Sequence, residues 1–144
     1  MHYCTFDEII KKRIPENVLM QLTDDDDMGA VDMDIVDSII AEQDELINGY
    51  LRKVFAVPLN PVPGIVTTIA LDLCAYAFYQ RRAHVEPPEK IVTGYNAAIK
   101  RLLDIQAGKI DLNVSTDDVV SGSADTAAIS AADQIFSGDS LANF

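Results

Sequence analysis

The stretch from Gly64 to Tyr79, GIVTTIALDLCAYAFY, decides the fold because it is the most apolar window of the chain. Its apolar residues form two adjacent rows at helical spacing, so most of the circumference of a helix would be apolar there. The window is shorter than the roughly 20 residues that a membrane-spanning helix needs, and Asp72 lies in its middle. We therefore predict a buried central helix and no membrane partner.

Two short helices are expected before the central one. Thr5 and Glu8 have the spacing of a capping box, which starts a helix that must end before Pro15. Pro15 in turn suits the first turn of a second short helix. The polar run TDDDDMG, residues 23–29, then interrupts the helical pattern and predicts a loop.

Three long helices complete the predicted bundle. They are expected from Asp32 or Asp34 to about Phe55, from Pro63 or Gly64 to about Arg82, and from about Pro88 to Ala107. The intervening VPLNPVP, residues 57–63, contains three prolines and predicts an extended connection. The predicted fold class is all-α: a bundle of three long and two short helices with an extended, flexible C-terminal arm.

The length of 144 residues, 49% of them hydrophobic, indicates one ordinary globular core. The two cysteines, Cys4 and Cys74, have no disulfide-scaffold or zinc-ligand spacing, and we interpret both as small apolar residues. The first 13 residues carry scattered charges and no apolar stretch typical of a secretory signal, which predicts a protein made in a cytoplasm.

The character of the chain changes after Leu112. Residues 113–144 are rich in Ser, Ala, Asp and Gly and contain few large apolar residues, a composition typical of disorder. We therefore divide the chain into a helical domain, 1–112, and a low-complexity acidic linker with a C-terminal docking arm, 113–144. The arm closes with QIFSGDSLANF, whose large apolar side chains are expected either to order on a partner or to fold back on the bundle: Ile135, Phe136, Leu141 and Phe144.

Charge is distributed unevenly within a net charge of −12. Residues 1–50 carry 13 acidic and 3 basic residues, whereas residues 51–110 carry 4 acidic and 8 basic ones. An acidic protein repels phosphates, so specific DNA binding is not expected. Opposite charges on separate segments can instead attract two copies of the chain. The residues expected to provide this complementarity between subunits are Asp24, Asp25, Asp26, Asp27, Arg81, Arg82, Lys100 and Arg101.

No catalytic, cofactor-binding or metal-binding pattern emerges. Aligning Asp24 with the first position of a calcium loop puts Ile35 where a bidentate Glu is required, so the EF-hand pattern fails. The chain has no phosphate-binding loop, dinucleotide fingerprint or zinc-protease motif, and Asp44 and Glu45 are adjacent and point in different directions on a helix. Asp72 is expected to pair with Arg81, Arg82 or another helix, or to face a neighbouring subunit.

Several stretches together resemble the Mu-like bacteriophage neck protein family, a family of small helical head-tail connectors. The resemblance covers almost the whole chain and rests on five pieces in order: YCTFDEIIKKRIPENVLMQLTDDD, INGYLRKVFAVPL, VPGIVTTIALDLCAYAFYQRR, YNAAIKRLLDIQAGKIDL and IFSGDSLANF. The first begins at residue 3 and the last ends at residue 144.

The resemblance implies a structural adaptor at the virion neck, the junction of head and tail. Such a protein forms a ring of about twelve copies beneath the portal protein, contacts a downstream neck or tail-completion protein, and lets DNA pass without specific binding. It further implies that Ile135, Phe136, Leu141 and Phe144 contact the portal. The alternatives are an acidic protein that mimics DNA and a divalent-metal module built on residues 24–27.

Overall fold

The computed structural model describes residues 2–112, which fold into a helical bundle. Within that range the chain forms two short and three long helices: α1 Phe6–Lys12, α2 Glu16–Thr23, α3 Met33–Leu51, α4 Gly64–Gln80 and α5 Glu89–Gln106. The predicted all-α class is confirmed, with the predicted number and order of helices. The predicted linker and arm, residues 113–144, lie outside the described residues.

Helix α4 lies at the centre of the bundle and packs against all four other helices. Eight of its residues are buried: Val66, Ile69, Ala70, Leu71, Leu73, Cys74, Ala75 and Phe78. Each large apolar side chain buried in this way stabilises the fold by about 1.5 to 3 kcal/mol. The helix therefore contributes much of the core, as its apolar circumference predicts.

The helix starts follow the local capping chemistry. The Thr5 side chain accepts the backbone N–H of Glu8, and the Glu8 side chain accepts the N–H of Thr5, which confirms the capping box. Asp32 caps α3 by accepting two backbone N–H groups of the first turn. Pro63 and Pro88 directly precede α4 and α5, where a fixed proline φ suits the entry to a helix.

The predicted end of the third helix is wrong. Helix α3 was expected to reach about Phe55, but it ends at Leu51. The chain leaves the helix there because Phe55 and Val57 turn inward against the core, and Leu59 in the following proline-rich connection is fully buried. The apolar periodicity continues past the helix because these side chains pack on the same core from irregular backbone.

The two cysteines are free thiols buried in the same core. Their sulfur atoms lie 3.7 Å apart, so Cys4 at the start of the chain contacts Cys74 in the middle of α4. The hydrogen bond with Cys4 and burial raise the pKa of the Cys74 thiol. A buried thiol of raised pKa is unreactive, as at Cys74. The burial of both side chains agrees with an apolar packing role for the two residues.

Candidate functional site

The acidic loop, residues 24–29, connects α2 to α3 and has a defined conformation. The Asp24 carboxylate accepts the backbone N–H groups of Met28 and Gly29, each at 2.8 Å. Asp27 and Gly29 adopt positive φ angles of 57° and 76°, which aspartate and glycine tolerate well. The loop therefore projects the Met28 side chain into solvent, where it is 78% exposed.

Two arginines hold the acidic loop against the end of α4. Asp25 lies 2.7 Å from Arg81 and 2.9 Å from Arg82, and Arg81 also donates to the carbonyl of Leu22 at 2.6 Å. The hydrogen bond from Arg81 and the charges of both guanidinium groups hold the pKa of Asp25 below its ordinary value. Within the chain, these arginines thus position the loop.

The remaining predicted basic residues also have contacts inside the chain. Lys100 pairs with Asp104 at 3.0 Å one helical turn away, and Arg101 lies 3.9 Å from Asp72. Complementarity between subunits, predicted for residues 24–27 and these bases, stays a prediction. In the acidic loop, Asp26 and Asp27 are exposed to solvent.

Asp72 connects three helices through its carboxylate. Its Oδ1 lies 2.7 Å from Nε of Arg13, at the end of α1, and its Oδ2 lies 3.9 Å from Arg101 on α5. Asp72 therefore pairs with other helices, one of the predicted options, and not with Arg81 or Arg82. A Cβ at Gly94 would lie only 2.9 Å from Oδ1 of Asp72, so this glycine leaves the space that the carboxylate occupies.

A basic cleft of about 360 Å³ opens around Asp72, between α1, α4 and α5. Four basic side chains line it: Lys12, Arg13, Lys90 and Arg101. Its apolar lining comes from Ala75, Ile91 and Ala97. The cleft thus combines a positively charged rim with small and apolar surfaces. Its bases come from segments far apart in sequence, so no local signal identified it.

A second groove, of about 660 Å³, lies on a different side of α5 and is bounded by α3 and α4. Tyr76 and Tyr95 stack in it with ring centroids 4.1 Å apart, and Leu46 on its edge is 39% exposed. The exposed carboxylates of α3 are those of Asp34, Asp37, Glu42 and Glu45. The bundle therefore presents an acidic surface and a basic surface on different sides.

A hydrogen-bonded contact that the sequence analysis missed fastens the N-terminal segment. Asp44, only 8% exposed, accepts the backbone N–H of Tyr3 at 3.0 Å and lies 2.6 Å from Nδ1 of His2. The Tyr3 hydroxyl donates to Asn48 and accepts the N–H of Leu59, and burial raises the pKa of its phenol. The sequence contained a signal for this contact, since Asp44 is an acidic residue at a position on the buried stripe of α3.

The arm residues Ile135, Phe136, Leu141 and Phe144 lie outside the described part of the chain. Among residues 2–112, no group of three or more His, Cys, Asp or Glu side chains is placed to hold a metal ion. In the same range, no helix has both the length and the hydropathy needed to cross a membrane.

Comparison with known proteins gives one family. The family model described as "Bacteriophage Mu, Gp36" matches residues 3–131, which include every helix of the bundle. No curated protein matches the chain.

Proposed function

The chain belongs to the Bacteriophage Mu, Gp36 family, a family of phage structural or morphogenesis proteins, and on that premise we propose that it is a head-tail connector. In this role the chain forms a ring beneath the portal protein and links the capsid to the tail at the virion neck. The mechanism is assembly, and the chain carries out no reaction.

The observation that carries the proposal is the presence of two unlike charged surfaces on one small domain. A ring requires heterologous interfaces, in which one patch of a subunit meets a different patch of its neighbour. The acidic loop with Met28 at its tip and the basic cleft around Asp72 form such a pair. A closed two-fold dimer would instead need the loop and the cleft to lie together in one patch that meets its own copy.

The carboxylates that are most enclosed also support a structural role. Asp44 fastens the N-terminal segment, and Asp72 joins α1, α4 and α5. Each is held by basic side chains or a backbone N–H, so each stabilises the packing of helices.

The rival proposal of a DNA mimic agrees less well with the charge distribution. A mimic needs carboxylates spread over the surface that replaces DNA, and the exposed acidic residues of α3 could supply some of them. The basic cleft, lined by Lys12, Arg13, Lys90 and Arg101, has no use in that function. A connector uses both surfaces.

In the proposed assembly, the C-terminal arm contacts the portal. Its apolar residues Ile135, Phe136, Leu141 and Phe144 would each contribute about 1.5 to 3 kcal/mol if fully buried on the portal. Repetition around a ring would strengthen even a weak contact by each arm through avidity. This part of the proposal rests on the sequence of the arm and on its resemblance to connector proteins.

A binding experiment with the cognate portal ring tests the proposal. The full-length chain should retain the portal, whereas a variant with Ile135, Phe136, Leu141 and Phe144 all changed to Ser should lose most binding. The matched control changes four apolar residues of the linker to Ser: Val114, Val119, Val120 and Ile129. It should bind like the unchanged chain.

Three outcomes separate the parts of the proposal. Loss in the arm variant alone supports both the connector role and the docking arm. Equal binding by all three chains supports the connector and assigns the portal contact to the helical domain. Failure of the unchanged chain to bind the portal contradicts the connector role.

A further inference from the structure

We propose that the acidic loop of one copy inserts Met28 into the basic cleft of the next copy, so that repeated loop-in-cleft contacts build the ring. The inference rests on the proposed ring and names the residues of its interface. Of the bases expected from sequence it uses Arg101, which lines the cleft, and not Arg81 or Arg82, which already bind Asp25 inside the chain. The bases that receive the loop are those of the cleft.

The acidic loop has the features of a preorganised knob. Asp24 closes it by accepting two backbone N–H groups, and the two ion pairs of Asp25 fasten it to the end of α4. Its tip therefore loses little conformational freedom on binding. Met28 is the most exposed of the large apolar residues in the described chain, at 78%, and Asp26 and Asp27 directly precede it.

The basic cleft has the complementary features. Its lining includes Ala75, Ile91 and Ala97, which offer apolar surface to a flexible, unbranched methionine side chain. Within residues 2–112, neither Lys12 nor Lys90 forms an ion pair, so both ammonium groups are available to carboxylates from outside.

Asp72 sets the shape and the charge of this cleft. It partly neutralises Arg13 and Arg101, and it holds Arg13 at 2.7 Å on the cleft wall. The cleft is lined by four basic side chains and one carboxylate, so its net charge is positive. An acidic knob with an apolar tip therefore matches the cleft in charge and in the nature of its lining, the combination that gives interfaces their specificity.

The contact must join two copies. The exposure of Met28 in the chain shows that the loop does not occupy the cleft of its own molecule. The loop lies at the end of α4 marked by Arg81, whereas the cleft surrounds Asp72, more than two helical turns earlier in the same helix. Two different patches on one molecule make a head-to-tail interface, which closes into a ring when the rotation between copies allows it.

A charge exchange between two full-length variants tests the contact. The loop variant carries Asp26→Lys and Asp27→Lys, and the cleft variant carries Lys12→Glu and Lys90→Glu. Association is measured by sedimentation velocity, and circular dichroism checks that each variant is folded. Alone, each variant should associate at least about tenfold more weakly than the unchanged chain, because like charges then meet at the interface.

Mixing the two variants should restore association. In the mixture, the basic loop of one variant meets the acidic cleft of the other, and the acidic loop of the second meets the basic cleft of the first. Control variants make the same charge changes elsewhere, as Asp37→Lys with Glu42→Lys and as Lys53→Glu with Lys109→Glu. These controls should keep most of their association, and mixing them should give no comparable gain.

A third variant, Met28→Ser, tests the knob without changing any charge. It should also weaken association. Association as strong as that of the unchanged chain in Met28→Ser, in the loop variant or in the cleft variant would overturn the proposal. A mixture that stays dissociated would overturn it too, as would an unchanged chain that never associates.

The acidic C-terminal segment is the other possible occupant of the cleft. A full-length chain with Asp117, Asp118, Asp125 and Asp133 changed to Asn should associate like the unchanged chain. Loss of association in this variant would assign the cleft to that segment and overturn the loop contact. Portal binding by the same chains separates the two proposals: a chain that binds the portal but fails the exchange refutes only the loop contact.

Discussion

Helix α4 and the acidic loop represent two different ways of specifying structure. In α4, eight buried residues surround one helix, and the hydrophobic effect places it at the centre without any specific partner. In the acidic loop, Asp24 and Asp25 make directed bonds to backbone N–H groups and to two arginines. The first region determines that the chain folds, and the second determines which surface it presents.

The largest expected effect is therefore in α4. Changing the fully buried Phe78 to Ala removes a large side chain and leaves a cavity, which should lower the free energy of unfolding by about 3 to 5 kcal/mol. Changing the exposed Met28 to Ala should alter it by less than about 0.5 kcal/mol. Urea denaturation of both variants checks the comparison, and similar losses in the two would contradict it.

The N-terminal fastening should give the next largest effect. Asp44→Ala removes the acceptor of the buried Tyr3 N–H and the partner of His2, so we expect a loss of about 2 to 3 kcal/mol in the free energy of unfolding. The matched control is Glu45→Ala, next in sequence, whose pair with Arg52 is solvent-exposed. The control should lose less than about 1 kcal/mol. Equal losses would show that Asp44 does not hold the segment.

Changing two glycines on different helices to Ala should give smaller changes in stability, of opposite sign. Gly94→Ala should destabilise the chain by about 1 to 2 kcal/mol, because the added Cβ would lie 2.9 Å from the Asp72 carboxylate. Gly49→Ala in α3 has nothing within 4 Å of the added Cβ and should stabilise by about 0.5 to 1 kcal/mol. Thermal unfolding distinguishes them, and a stabilising Gly94→Ala would contradict the close packing at Asp72.

The smallest expected effect is the acid sensitivity of the loop. The folded-state pKa of Asp25 lies below its ordinary value of 3.8, chiefly because Arg81 donates a hydrogen bond to it. Its stabilising contribution is thus complete above the unfolded pKa and is lost as pH falls through the folded pKa. In Asp25→Asn, the free energy of unfolding should depend less on pH in that acidic range. An unchanged acid profile would show that the ion pairs contribute nothing measurable.

The sequence predicted the helices well because their signals are local. The capping box of Thr5, the N-cap Asp32 and the prolines before α4 and α5 each act within one turn. The predicted end of α3 was wrong because apolar periodicity does not distinguish a helix from an irregular segment that packs on the same core.

The candidate interface could be predicted only in part. The sequence shows an acidic segment and a basic one, but the choice of partner depends on how the helices pack. Asp25 meets Arg81 from 56 positions away, and Arg13 meets Asp72 from 59 positions away. Spacing along the chain carries no information about such pairs, so the cleft emerges only once three helices are in place.

The most direct test of the connector role is an electron cryomicroscopy reconstruction of the neck in particles of the phage whose genome encodes this chain. The connector role and the loop contact predict a ring of five-helix domains immediately below the portal, with each α2–α3 loop directed at the α1, α4 and α5 surface of its neighbour. A neck without this domain, or the domain found elsewhere in the particle, would contradict the connector role.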